Sequence, residues 1–389
     1  MDAQLIAIVA DGPKGRVYVA PNRLQEEIAR SAVPKWKPEG MVPTPSHDVD
    51  RLPMYGMPTW GDAFSNRQLV ALTTLSELVH EVRSKVEEDA VSSGRLSDGI
   101  ALRYDGVGAK AYAEAVSIYL AFLVGQVANH SSTVCGWNSP NQQMRSTFSR
   151  QAISMSWDYA EVNVFSESSG SFRSLFDRLV KGFETLGSKS TLSKVIQSDA
   201  QKLEYPGEVV ISTDPPYYDN ISYSDVSDFF FSWMKPALRE VFPDLFGLMA
   251  TPKVDELIAS PDRQGGRDAA ERFFLTGMSA AIKNMAKHCR SDFPVTIYYA
   301  FKQSEIEQEG VSSSGWATFI EAILSSGFSV VGTWPVRTEK PGRMVSVGTN
   351  ALANSVVLVC RKKVASADVT TRADFIRALK RELPPAIAE

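Results

Sequence analysis

The chain has 389 residues, enough for two domains or one large decorated one. Its apolar fraction of 44% and charged fraction of 22% are those of an ordinary globular protein, and a net charge of −4 excludes an overall basic field, though not a local basic face. The cysteines, Cys135, Cys289 and Cys360, lie far apart with no CxxC pair, and His47, His80, His130 and His288 show no ligand spacing, so the chain reads as having reduced thiols and no zinc ribbon.

"QLIAIVAD-GPKG-RVYVAPN" reads as a β-hairpin, two β-rich runs about a Gly-Pro-Lys-Gly turn. The run "QLIAIVA" is too short for a signal peptide, and no targeting segment is visible, so a cytoplasmic protein is expected. A proline-rich connector follows, "VPKWKPEGMVPTPSHDVDRLPMYGMPTWGD", expected to be extended and to lie on the surface. A helix is predicted to begin near Ser65, with Gln68 completing a capping box and Leu72, Leu75, Val79, Val82 and Val86 forming one apolar stripe. A second long helix is predicted over Ala109 to Asn129; its window "AVSIYLAFLVG" is too short to span a bilayer and reads as buried. The plain reading of both helices is a packing layer.

From about Ser188 the pattern changes. "SKVIQSDA", "EVVISTDPP", "PVTIYYAF", "FSVVGTWPV" and "SVVLVCRKK" read as strands, with helices at "SDFFFSWMKPALREVF", "AAERFFLTGMSAAIKNMAKHC" and "WATFIEAILSSG" between several of them. This alternation is that of a doubly wound α/β sheet, and the last two strands suit an antiparallel pair at its end. "IASPDRQGGRDAAE" reads as a flexible loop. The expected organisation is a hairpin region over 1–35, the connector over 36–64, a helical region over 65–186, an α/β domain over 187–365 and a helical tail over 366–389.

"GEVVIS" reads as a short buried strand, which puts Asp214 of "TDPPYYDNISYSDVSDFFF" where a parallel strand opens into a ligand crevice. Methylating an exocyclic amine of a base needs two acceptors for the amine's hydrogens, because its lone pair is delocalised into the ring. The Asp214 carboxylate and the Pro215 carbonyl can serve, and Pro215 and Pro216 restrict the chain that carries them. Tyr217 can stack on a base turned out of the helix. A donor held in line on the amine's far side then gains from proximity and orientation. The plain alternative is a strand-to-turn exit, since Asp-Pro commonly opens turns.

Several segments in order resemble the C-terminal part of the large adenine-specific DNA methylases that carry a zinc ribbon. They are "LPMYGMPTWGDAFSNRQLVALTTL", "RSTFSRQAISMSWDYAEVNVFSESSGSF", "TDPPYYDNISYSDVSDFFFSWMK", "TWPVRTEKPGRM" and "ALANSVVLVCR". The resemblance implies a Rossmann-like class I methyltransferase sheet and an S-adenosylmethionine-dependent transfer to an amino group of DNA, with adenine favoured over cytosine. A restriction or phage-defence setting is in keeping with it. The chain departs from the family in lacking the zinc ribbon and the Phe-x-Gly-x-Gly-type loop that lies under the cofactor's methionine. The closest glycine pair, "DGVGAK" (Asp105 to Lys110), has no convincing strand before it. The expectation is a sheet without its first strands, in one subunit of a split enzyme or a fragment of a longer one, with a protein partner or N-terminal part supplying the glycine loop.

The resemblance assigns Asp199, at the end of "KVIQS", to the cofactor's adenine amino group; a cap on the next turn is the equal alternative. Asp158 and Asn163, with Glu161, Trp157 and Phe165, become candidate linings of the cofactor or base pocket, against a capped loop leading into a helix at Phe172. Arg337, Lys340 and Arg343 beside Trp334 can grip phosphates, against an ordinary solvated loop. Tyr218, Asp219 and Tyr223 extend the base pocket, and "DFFFSW" reads as the buried face of a helix. Two other functions stand beside DNA methylation: methylation of RNA or of a protein glutamine, and a non-catalytic DNA- or partner-binding subunit that has lost cofactor binding.

Overall fold

The computed structural model describes residues 3–149, 151–185, 193–218, 221–300, 314–336, 355–363 and 370–388. It is a mixed α/β structure whose chain divides into two compact units: Met1–Val195 with Ile221–Glu256, and Ile196–Asn220 with Leu257–Glu389.

The first unit opens with the expected hairpin, β1 (Ile8–Gly12) paired antiparallel with β2 (Gly15–Val19), followed by α1 (Arg23–Arg30) and the short α2 (Arg51–Met54). The long helix α3 (Asn66–Ser92) starts as read from the sequence. The Ser65 hydroxyl accepts from the Gln68 N–H, and the Gln68 side chain accepts from the Ser65 N–H at 2.8 Å. α4 (Ala109–Asn129), the small hairpin β3 (Trp137–Asn138) with β4 (Gln143–Met144), and α5 (Phe172–Glu184) complete its first segment. Among the described residues α4 is the one helix long and apolar enough to cross a membrane, and more than half of its apolar window is buried.

The proline-rich connector is not a surface strap. Val42, Val49, Leu52, Met57, Trp60, Ala63 and Phe64 are buried in one core with Leu69, Leu72, Phe229 and Trp233. Phe64 stacks on Phe229 with ring centres 5.7 Å apart and meets Trp233 edge-on at 5.1 Å. The prolines set the backbone's course, while the apolar residues between them go inside. Phe229 and Trp233 lie on α6 (Tyr223–Leu238), which precedes the short α7 (Pro243–Phe246). The sequence reading placed α6 between strands of the sheet domain, but it belongs to the first unit and packs on α3 and α4. The "DFFFSW" reading holds: Phe229 and Trp233 are fully buried.

The second unit carries β5 (Ser212–Thr213), α8 (Pro261–Gln264), α9 (Arg267–His288), β6 (Val295–Tyr299), α10 (Ser314–Ser325), β7 (Phe328–Val336), β8 (Ser355–Lys362) and α11 (Arg372–Ala388). Its four described strands run in the order β5-β6-β8-β7. β5 is parallel to β6, and β8 is antiparallel to both β6 and β7, as the closing pair suggested. Phe274, Met278, Ile282, Phe319, Ile323, Ile297, Tyr299, Phe328 and Leu358 pack into its core.

Three expectations change here. "SKVIQSDA" forms no strand: residues 193–199 make no ladder, and Val195 is 96% exposed. Alternation of apolar residues favours a strand only where a neighbour takes up the backbone and the apolar face. "GEVVIS" is buried on one side only, with Ile211 inside and Val210 57% exposed, and its ladder is confined to Ser212–Thr213 plus a bridge from Val209 to Cys289. "IASPDRQGGRDAAE" is an ordered turn. It contains α8 and the start of α9, separated by Gly265 and Gly266, whose positive φ values of 78° and 132° suit glycine.

Candidate active site

Asp214 sits one residue beyond β5, at the C-terminal end of a strand parallel to its neighbour, as read from the sequence. It is exposed, and its carboxylate makes no hydrogen bond or ion pair among the described residues. Pro215 and Pro216 are half-buried. Tyr217 is half-buried and packs edge-on against Tyr299, with ring centres 5.2 Å apart. Tyr299, the last residue of β6, is fully buried. It stacks on Phe319 of α10 at 4.1 Å and meets Trp316 at 5.8 Å. Tyr217 is therefore backed by an aromatic stack and stays half-buried.

Sequence reasoning did not single out Tyr299 or Phe319. The available signal was the alternation Val295, Ile297, Tyr299, which puts all three on the buried face of β6. Tyr218 has a packing role: its ring meets Phe274 edge-on at 5.1 Å, and its carbonyl accepts from the Ala259 N–H at 2.8 Å. These contacts anchor the exit of the tetrapeptide.

Trp334 lies on β7 itself and is 67% exposed. The register links it to Val357 and Val357 to Tyr298, while Thr213 before Asp214 pairs with Ile297. Asp214 and Trp334 thus share one row at the same end of the sheet, separated by three strand spacings, about 14 Å. Arg337, Lys340, Arg343 and Asp219 lie outside the described residues.

The remaining candidates belong to local structure. Asp199 ends no strand; its carboxylate accepts from the Gln201 N–H at 2.9 Å and lies 3.7 Å from Lys202 Nζ. The turn-cap alternative is what forms. Asn163, in the first unit, accepts the Phe165 N–H on its side-chain oxygen at 3.0 Å, closing an Asx turn. Asp158 is exposed, and Glu161 pairs with Arg67 at 3.0 Å and accepts from the Ser65 hydroxyl at 3.1 Å. This is the capped loop, and Ser171 caps α5 in turn. Tyr223 opens α6 in the first unit, whereas Asp214 to Tyr218 lie in the second.

The glycines of "DGVGAK" are accounted for by their own loop. A Cβ on Gly106 would land on the Ile100 carbonyl, and one on Gly108 would come within 2.6 Å of the Leu96 carbonyl oxygen. The space that a cofactor backbone cradle would need is filled by the chain. No strand precedes the pair, and Gly108 leads into α4 instead. Among the described residues, no cluster of His, Cys, Asp or Glu fits a metal ion.

No family model matches the chain, and no curated protein or solved structure matches it.

Proposed function

We propose that this chain carries the amine-accepting half of a DNA amino-methyltransferase, with adenine N6 as the favoured target. The observation that carries the reading is the Asp214–Tyr217 stretch. An exposed carboxylate with no partner among the described residues lies at the C-terminal end of a parallel strand, next to a tyrosine whose ring is backed by Tyr299 and Phe319. Asp214 and the Pro215 carbonyl accept the two hydrogens of the exocyclic amine and draw its nitrogen towards a pyramidal geometry. Tyr217 is placed to stack on the base. The strand order, with one antiparallel strand next to the far edge of an otherwise parallel set, supports the class I methyltransferase sheet that the resembling segments imply.

The methyl group in this class comes from S-adenosylmethionine, and the filled "DGVGAK" loop offers no cradle for its methionine end. The reading therefore includes a second polypeptide, or a further part of a longer one, that supplies the glycine loop. The filled "DGVGAK" loop equally favours a second reading, a subunit that binds DNA or a partner without catalysis.

Methyl transfer from labelled cofactor to adenine-containing DNA tests the proposal, with the chain alone and with a polypeptide that carries such a loop. N6-methyladenine in the wild-type digest and none with a folded Asp214→Ala variant is the expected result. Full transfer by that variant removes Asp214 from the chemistry. Absence of any cofactor binding or transfer in every combination favours the non-catalytic subunit.

A further inference from the structure

Helix α10 is apolar nearly all round. Phe319, Ala322 and Ile323 are buried in the core of the second unit. Trp316, Ile320 and Leu324 form a second stripe at i, i+4, i+8 that lines an open groove of about 600 Å³ with Ala317, Glu321 and Ser325. A helix that is hydrophobic on both faces belongs between two layers, and Leu324 is 42% exposed.

The same unit holds a helix in the opposite situation. α11 has no buried side chain among those described, and Phe375, Ile376 and Leu379 are 57%, 38% and 44% exposed. Its start is capped by Thr371, whose hydroxyl accepts from the Asp374 N–H at 3.1 Å. A helix with no buried face among its described residues lacks the tertiary packing that supplies most helical stability in proteins.

We infer that α11 docks along the Trp316–Ile320–Leu324 stripe of α10 in the same chain, antiparallel to it. The connection favours this occupant. At the end of β8, Lys363 donates its backbone N–H to the Gly327 carbonyl at 2.8 Å and its ammonium to the Leu324 carbonyl at 2.6 Å. The chain therefore leaves the sheet at the C-terminal end of α10. Residues 364–370 lead to the Thr371 cap; seven residues reach roughly 23 Å, against about 12 Å from Leu324 to Trp316 along the helix. A linker of that reach permits either direction, and the charge pairing selects the antiparallel one.

Spacing and charge agree with this arrangement. Phe375 and Leu379 are four residues apart, as are Ile320 and Leu324, so the ridges match. Glu321 follows Ile320 and Lys380 follows Leu379, each about 100° round from its stripe. For antiparallel axes those flanks fall on the same side and bring opposite charges together. The docking does not depend on the proposed activity, although it would cover Trp316, which touches Tyr299 behind Tyr217.

The test is a cysteine pair, Ile320→Cys with Leu379→Cys, in the full chain; the native thiols are all buried and do not compete. The expected result is a disulfide within the monomer, formed at least about tenfold faster than any cross-link in either single-cysteine control. A disulfide-linked dimer overturns the intrachain docking in favour of exchange with a second copy. No disulfide overturns it altogether. Hydrogen exchange on the unaltered chain decides independently should the pair not fold: amides over 375–382 should exchange at least about tenfold more slowly than in the free peptide of that sequence. Exchange at the peptide's rate overturns the proposal.

Discussion

The Asp214 carboxylate is exposed and makes no hydrogen bond or ion pair among the described residues, so removing it leaves no buried group unsatisfied. Asp214→Ala is expected to change stability by no more than about 0.5 kcal/mol while abolishing methyl transfer in whatever assembly is active. Denaturant melts beside the transfer assay check both halves. Tyr217→Ala is expected to weaken productive base binding by about 1–3 kcal/mol, the usual worth of a base–aromatic stack, and to leave cofactor affinity alone. Unchanged kinetic constants for the nucleic acid would count against stacking. Cys360 offers a residue-scale check on the core. Burial raises its thiol pKa from 9.0 to about 11. A folded value above the unfolded one means that this stability is complete below about pH 9 and is lost as pH rises through about 11. The fall in unfolding midpoint over that range should be shallower in Cys360→Ala than in the wild type.

At the scale of elements, what the sequence revealed was whatever its own neighbours decide. The Ser65–Gln68 capping box is a four-residue device, and α3 begins there. Ser65→Ala is expected to cost about 1 kcal/mol through the lost cap, read as a shift in the urea midpoint. Gly106→Ala is expected to cost more, about 1–3 kcal/mol, because the added methyl meets backbone that cannot turn aside. If this substitution were neutral, the loop would be looser than its contacts imply. What escaped the sequence was whatever depends on distant partners. Proline density in residues 36–64 announced irregular backbone but not that Trp60 and Phe64 meet Phe229 and Trp233 from well over a hundred residues away. "KVIQS" has the composition of a strand and no ladder to join. Asp214 was legible because a strand end and an Asp-Pro turn are local. Its backing by Tyr299 and Phe319 was not, since β6 and α10 reach it only through the fold.

For the whole molecule the outer edge of β5 carries the remaining consequence. Val209 and Ile211 turn their backbone groups to one side: Val209 accepts from the Arg290 N–H, just after α9, at 3.0 Å, and Ile211 from the Thr296 N–H of β6 at 3.1 Å. In a strand the next residues face the other way, so Val210 and Ser212 present their backbone groups outward, where no described strand pairs with them. Such an edge is a template for another strand. The glycine loop that the cofactor needs belongs, on the proposed reading, to polypeptide added on this side of Asp214. Calorimetry should accordingly find weak or no S-adenosylmethionine binding to the chain alone, and restored binding once a polypeptide carrying the loop and its strand is present. Val210→Pro removes one outward N–H without touching the ladder to β6. It is expected to block that restoration while leaving the melting of the isolated chain nearly unchanged. Tight, stoichiometric cofactor binding by the unaccompanied chain would place the cofactor elsewhere and end the case for a strand at this edge. Restoration that survives Val210→Pro would keep the partner but move its docking site away from β5.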